Sequence, residues 1–548
     1  MNRKVFHIAS IIIPVTAIVL AGDVSAATDL PDLPVGKVYY VDSQAGSDNH
    51  DGLSAERPWK SLDAVNRVTF QPGDTLLFKA GTSYQGQLKP QGSGDPQHPI
   101  RIDAYDLKEP VGSFRGLPRI DADGKTDSAL LLYNVQGWEV RNLELTNTGP
   151  DRKPRRSGAA VRIRDFGTAK HILLSGLYVH DVNGSLVKQQ GGGQGILLSN
   201  EGRQVQSRFD GLTIENCLIR RCERNGIIQH GYSSRSQWYP NLNVRIRGNR
   251  LEEIPGDGIV PIGCDGAIVE YNRMRDCTRL LPEGEAAAGI WPWACDNTVI
   301  QFNEVSDHKA PWDGQGFDSD WNCQNTLIQY NFSHDNEGGF LLVCNNGQSQ
   351  MPYSIGNIGT VVRYNVSVND GIRTQRTHVG VFSPTFHISG PCKDTKIYNN
   401  TIIITRKPEG DVDKTILKMD NWGGPWPEQT WFANNIFYVQ DRAGYQFGKD
   451  IKTVFVNNLY FGNQDNRPPD EKAIVAEPCF ESSDFLAVPE RAGIDPEKGF
   501  KEDPYLAKLR LKQGSPGAGQ GKQIPDNGGR DILGKAISDK ACSVGAKE

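Results

Sequence analysis

Three aspartates crowd the segment Trp312-Asp-Gly-Gln-Gly-Phe-Asp-Ser-Asp-Trp321, at positions 313, 318 and 320. Two carboxyls held close enough to couple split their ionisation, so that one stays protonated towards neutral pH while the other carries charge. Such a pair suits cleavage of a glycosidic bond, in which one group protonates the leaving oxygen and the other opposes the positive charge developing on the sugar ring. Asp318 and Asp320 are the first candidates, because residues two apart in a strand share a face, roughly 6.5 to 7 Å apart at Cα. That spacing fits either retention or inversion. Asp313, which opens the loop into the same strand, and Glu337, in Phe332-Ser-His-Asp-Asn-Glu-Gly-Gly339, are alternative members of the pair. Just upstream, Trp291 and Trp293 in Gly289-Ile-Trp-Pro-Trp293 offer flat apolar faces to a pyranose. His334, His230, Arg162 and Arg164 are the further candidate substrate contacts, and the basic run Arg152-Lys-Pro-Arg-Arg156 suits uronate or sulfate groups.

The elements that must position these groups repeat. Asn216, Asn249, Asn272, Asn303, Asn331, Asn365, Asn400, Asn435 and Asn458 recur at intervals of 23 to 35 residues, nearly all after a short alternating apolar segment such as Val299-Ile-Gln-Phe-Asn303 or Leu327-Ile-Gln-Tyr-Asn331. Each unit is too short to bury its own apolar face, so the copies must stack. β-Branched residues, period-two alternation and Gly/Asn turn signals predict coils of short parallel strands. At the corners Asn tolerates a left-handed backbone, and its amide can bond to the equivalent amide one coil away. Aligning coils on the glycines at 195, 226, 258, 289, 316 and 339 predicts an outward ladder of Leu197/Ser199, Ile228/His230, Val260/Ile262, Trp291/Trp293, Asp318/Asp320 and Leu341/Val343, with steps of roughly 4.8 Å. A register slip would bury two unpaired carboxylates, which favours the outward assignment. Pro261 and Pro292 each remove a ladder donor and strain this register around the two tryptophans.

The flanks carry a recognisable pattern. Lys37-Val-Tyr-Tyr-Val-Asp42 reads as a strand, Gly46-Ser-Asp-Asn-His-Asp-Gly52 as a turn, and Pro58-Trp-Lys-Ser-Leu-Asp-Ala-Val65 as a short helix capped by Ser61. Together with the Asn-bearing coils and the tail Ser515-Pro-Gly-Ala-Gly519, these motifs resemble the right-handed parallel β-helix proteins of the pectate-lyase-like superfamily. The resemblance spans almost the whole chain beyond residue 26. It implies an all-β, right-handed parallel β-helix, with an N-terminal cap at 27–74, coils at 75–480 and an irregular closing segment at 481–548 packed on the solenoid. That superfamily holds glycoside hydrolases, polysaccharide lyases and non-enzymatic surface proteins, and the dense aspartate run resembles the carboxylate usage of its hydrolases.

Composition narrows the partners. A formal net charge of −5 over 548 residues gives no general basic footprint for nucleic acid. Residues 1–26 combine Arg3 and Lys4, an apolar run from Ile8 to Ala21 and the small-residue site Val24-Ser25-Ala26, which predicts a secretory signal cut before Ala27 and a secreted or periplasmic protein without a membrane span. Of ten cysteines, Cys264, Cys295, Cys323 and Cys344 fall near the same turn of successive coils and are expected to stack inward as small apolar side chains. The leading expectation is a monomeric hydrolase of a polysaccharide or oligosaccharide without a cofactor. A lyase would instead need a base such as Arg373, Arg376 or Lys418, with Ca²⁺ or Arg stabilising the charge; a non-catalytic carbohydrate-binding solenoid needs only the ladder and its tryptophans. Asp48-Asn-His-Asp-Gly52 has oxygen ligands of a calcium type but not the full loop spacing, so it reads as a turn.

Overall fold

The computed structural model describes residues 36–346, 354–405, 408–449, 452–485, 488–490, 493–538 and 542–547. The expected export signal lies outside them. Short strands wind into coils, each strand pairing in parallel with its equivalent one coil on, which is the β-helix anticipated from the repeats. One sheet runs from Val38–Val41 through Thr75–Lys79 and Ile100–Tyr105 to Trp431–Ala433 and Val454–Val456. A second passes through Glu144–Asn147, Tyr178–Val182 and Leu218–Cys222 to Thr401–Ile404. The third face carries Ser128–Tyr133, Ser157–Arg164, Gln194–Glu201 and Asn225–His230, then Gln315–Ser319, Gly339–Cys344, Phe386–Ser389 and Thr415–Asp420. Parallel stacking begins at Val38, earlier than the predicted residue 75, because the opening strand pairs with Thr75–Lys79. Ser61 caps the short helix Leu62–Asn66 by accepting from Ala64 N, and Leu62 and Val65 join the core beside Val41 and Leu76.

The asparagines from Asn249 to Asn458 form a continuous buried ladder. Each Nδ2 donates to the Oδ1 of the next at 2.9 to 3.0 Å, and also to a main-chain carbonyl such as Ile246 O or Val269 O. Asp470 ends the chain of amides by accepting from Asn458 Nδ2 at 2.9 Å. The left-handed corner, however, belongs to the preceding residue: Tyr271, Phe302, Tyr330 and Tyr364 all have φ between 52° and 57°. Each such aromatic corner costs about 1–2 kcal/mol locally. Their rings stack at 5.0 to 5.8 Å, and the ladder bonds beside them fix the turn. Asn216 takes this left-handed position and stands outside the ladder, whose first bond is from Cys217 N to Asn249 Oδ1.

Cys264, Cys295, Cys323 and Cys392 lie in the core, and none of the ten cysteines forms a disulfide. Cys344 departs from the predicted inward stack. It points away from the core, because the coil at 339 meets its neighbour with Gln315 opposite Gly339 and Phe317 opposite Leu341. The closing segment packs along the flank of the solenoid, where Phe480, Phe485, Tyr505, Leu506 and Leu509 cover Tyr330, Phe332, Tyr364 and Tyr438.

Candidate active site

Alternation along the third face sorts its side chains. Ile196, Ile227, Ile259, Ile290, Phe317 and Leu341 point into the core. Between them two outward rows emerge. One carries Leu197, Ile228, Val260, Trp291, Asp318 and Leu342, and the other Arg162, Ser199, His230, Ile262, Trp293, Asp320 and Cys344. The last rung differs from expectation. Leu342 and Cys344 face outward while Leu341 and Val343 are core, because Gly339 aligns with Gln315 and not with Gly316. The prolines do not break the register. Trp291 N donates to Ile259 O and Trp293 N to Pro261 O, so the donors that hold these coils sit on either side of Pro292. Asp318 N and Asp320 N then bond to Ile290 O and Pro292 O, which sets each aspartate beside a tryptophan.

The three aspartates share an environment poor in water, and they differ within it. Asp318 is 3 % exposed, and its Oδ1 has no hydrogen-bond partner among the described residues. Burial first, then the charges of Asp313 and Asp320, hold its pKa well above the usual carboxylate range. Asp320 keeps access to solvent, and its Oδ1 accepts from Trp321 N at 2.6 Å and Cys344 Sγ at 3.2 Å. Burial raises its pKa, but these two donors and the Lys188 charge oppose the rise. Asp313 also reaches solvent, from a left-handed backbone at φ 59°. Gly314 N bonds to Ala287 O at 2.8 Å and the buried Arg373 donates Nη2 to Asp313 O at 2.6 Å, which pins that conformation. Burial chiefly, then Asp320, pushes the Asp313 carboxyl up to about 6, with Lys188 acting against the rise.

A second layer fixes the field around them. Lys188 comes from a loop four coils upstream of the aspartates and places Nζ 5.0 Å from the Trp291 ring centroid and 3.8 Å from Asp257 Oδ2. Asp257 is fully buried; it pairs with Arg224 at 2.6 Å and accepts from Trp291 Nε1 at 3.1 Å. Although burial alone would raise its pKa, Lys188 and Arg224 hold Asp257 below its ordinary value. Asp257 is therefore the charged anchor of the Trp291 ring. Trp291 is 4 % exposed and covered, so it is not an open platform for a sugar. Trp293 is half-buried, set edge-on to Trp321 at 6.2 Å, and its Nε1 lacks a partner among the described residues. Trp312 is 40 % exposed and lies edge-on to His378, and Trp422 is 38 % exposed and edge-on to His387, which follows Leu342 in the Asp318 row.

Other residues singled out in the sequence stand elsewhere. Glu337 is held by Arg279, with Nη1 to Oε2 at 2.9 Å, and does not join the aspartate cluster. His334 lies on the second sheet, beside the closing segment. There burial disfavours its cation, but hydrogen bonds to Asp335 and Glu304 push its pKa up to about 9. His230, Arg162 and Arg164 line a cleft of about 550 Å³ on the same outward face, upstream of the aspartates. Arg373, suggested as a lyase base, is 1 % exposed and donates to the carbonyls of Pro311 and Asp313. Arg376 pairs with Asp411, and Lys418 Nζ donates to Gln446 at 3.2 Å. Asp48 accepts from Lys60 N and Ser61 N at 2.9 Å each and from Ser61 Oγ, as a turn residue does. Among the described residues no cluster of three or more His, Cys, Asp and Glu is arranged to hold a metal ion, and no helix is long and apolar enough to cross a membrane.

Sequence reasoning missed Lys188 and Cys344 as neighbours of the aspartates, and with them the buried Arg224–Asp257 pair behind Trp291. Lys188 sits in a glycine-rich stretch, Val187-Lys-Gln-Gln-Gly-Gly-Gly-Gln-Gly195, whose length hinted at a loop long enough to fold over the face.

Comparison with known proteins adds to this geometry. The family profile described as "Right handed beta helix region" matches residues 194–402. A lacto-N-biosidase of Bifidobacterium longum subsp. longum is 28 % identical across 94 % of this chain and 36 % of its own length. The crystal structure of a GH136 lacto-N-biosidase from Eubacterium ramulus superposes with a TM-score of 0.56 at 27 % identity, covering 72 % of this chain and 67 % of that one. An alpha-1,3-galactosidase A of Akkermansia muciniphila is 22 % identical over 34 % of this chain and 32 % of its own. The chain thus spans about a third of the length of the Bifidobacterium relative. It is a right-handed parallel β-helix protein that resembles glycoside hydrolases.

Proposed function

We propose that the protein is a glycoside hydrolase of the lacto-N-biosidase type, acting on oligosaccharides through Asp313 and Asp320. The observation that carries this reading is the contrast between two solvent-reaching carboxyls set in one desolvated cluster. Asp313, pushed up to about 6, is suited to give its proton to the glycosidic oxygen. Asp320, whose Oδ1 is held by two donors, is suited to carry negative charge opposite the developing oxocarbenium ion. Asp318, first in sequence reasoning, is too enclosed to reach a scissile bond. It is raised by burial and by the charges of Asp313 and Asp320, which keeps it the protonated member of the three, and its Oδ1 has no partner among the described residues. The unpartnered Trp293 Nε1 on the neighbouring rung offers a donor to the same substrate.

The similarity to lacto-N-biosidases over most of this chain supports an oligosaccharide substrate. The test is incubation with a panel of defined oligosaccharides that includes lacto-N-biosidase assay substrates, followed for both reducing ends and ultraviolet absorbance. New reducing ends without absorbance are expected. Absorbing unsaturated ends would make the protein a lyase, and binding without new ends would make it a carbohydrate-binding solenoid. The pattern of residues 1–26 supports export, and the mature protein is expected to begin at Ala27 on N-terminal sequencing.

A further inference from the structure

Upstream of the aspartates, the outward row that contains Asp320 turns basic. Arg162, Ser199 and His230 occupy successive rungs of that row and line, with Arg155 and Tyr232, the cleft of about 550 Å³. His230 lies three rungs from Asp320, about 14 Å along the ladder. Neither Arg155 nor Arg162 makes an ion pair or a side-chain hydrogen bond with any described residue, whereas the adjoining Arg164 is matched by Glu201 at 3.2 Å. Arg162 and Arg155 also line the neighbouring hollow of about 280 Å³, so the two guanidiniums stand at the junction of both depressions. Asp127 lines that second hollow and Glu201 the first, and they are the acidic residues in the two linings. The wall around His230, and then the Arg155 charge, hold its imidazole below the usual value, which leaves a neutral ring with a nitrogen free to bond a hydroxyl. Two cations spaced across a concave, polar floor recognise a planar or tetrahedral oxyanion through paired N–H donors.

We propose that this cleft binds an acidic sugar, with its carboxylate or sulfate between Arg155 and Arg162 and its hydroxyls on Ser199 and His230. The choice of a sugar rests on the glycoside-hydrolase reading; the choice of an anion does not. Binding of glucuronic acid, of sulfated galactose and of unmodified galactose to the full chain is measured by calorimetry. None of these monosaccharides can be hydrolysed, so the result is independent of turnover. At least one acidic sugar is expected to bind about tenfold more tightly than galactose, as expected for one hydrogen bond between charged groups. Which of the two it is identifies the anion. That preference is expected to weaken with added salt and to vanish in the double variant Arg155→Gln/Arg162→Gln, in which an exposed and a half-buried outward side chain change and the circular dichroism spectrum is expected to stay the same. Equal binding of charged and neutral sugars, or a preference that survives the double variant, overturns the proposal. Failure to hydrolyse any neutral oligosaccharide would remove the enzymatic reading and leave a measured acid-sugar preference standing.

Discussion

The buried asparagine ladder and the outward aspartates at 313, 318 and 320 are both clusters of polar side chains built by one coil repeat, and they treat their polar atoms in opposite ways. Along the ladder every amide donates to the next amide and to a carbonyl, so burial costs little and the corner becomes rigid. Around the aspartates, Asp318 Oδ1 and Trp293 Nε1 lack partners among the described residues, Asp320 raises Asp313, and both of these raise Asp318. The same fold thus shows what satisfied and unsatisfied polar stacks are for. The first stabilises the solenoid, and the second leaves polar atoms unmatched, which is the pattern the proposed active site requires.

Substitutions in each region sharpen this contrast. The largest effect is expected at the aspartates, where Asp320→Asn and Asp313→Asn should each lower turnover by about 100- to 10,000-fold while the melting temperature holds or rises. Near-native turnover in either variant would dissolve the distinction between the two regions. The mirror experiment is Asn331→Ala, which removes the ladder acceptor of Asn303 N and Nδ2 and the side-chain donor to Ile300 O. A loss of about 2–4 kcal/mol in denaturant unfolding is expected, with kcat little changed in the folded fraction.

Lys188→Met probes the field rather than the groups. The Lys188 charge holds down Asp257, Asp313 and Asp320, so its removal should raise both ionisations and move the bell-shaped kcat/KM profile to higher pH. A profile that stays in place would show that Lys188 only packs on Trp291. The smallest effect concerns Asp318. A carboxyl whose folded pKa lies above its unfolded value binds more protons in the native state, so it costs stability above the unfolded value and nothing well below it. Asp318→Asn should therefore melt at a higher temperature near neutral pH, and that gain should disappear below about pH 4, where both states are protonated.

Much of this was legible in the chain. The recurrence of asparagine, the glycine-opened strands and the alternation around Phe317 gave the β-helix and pointed Asp318 and Asp320 outward, because period two and burial leave one register without a large penalty. Other features were not local. The rung at Leu342 and Cys344 slipped by one because a glycine alignment does not reveal which glycine faces which. The left-handed corner fell one residue before each ladder asparagine, on Asn399, Asn434 and Asn457 in the last coils but on Gly248, Tyr271, Phe302, Tyr330 and Tyr364 in the others, where stacked rings and amide bonds hold aromatic residues in it. His334 and Glu337, close to the aspartates in sequence, were carried off by the turn of the coil to a different sheet and to Arg279.

Sequence alone determined the repeat, its strand period, and the presence of carboxyls and indoles on one face, because these follow from side-chain alternation within single coils. Tertiary structure decided which carboxyls reach solvent and which stay protonated. Those properties depend on Lys188, Asp257, Arg373 and Cys344, brought in from other coils, and on how much water the loops between coils exclude.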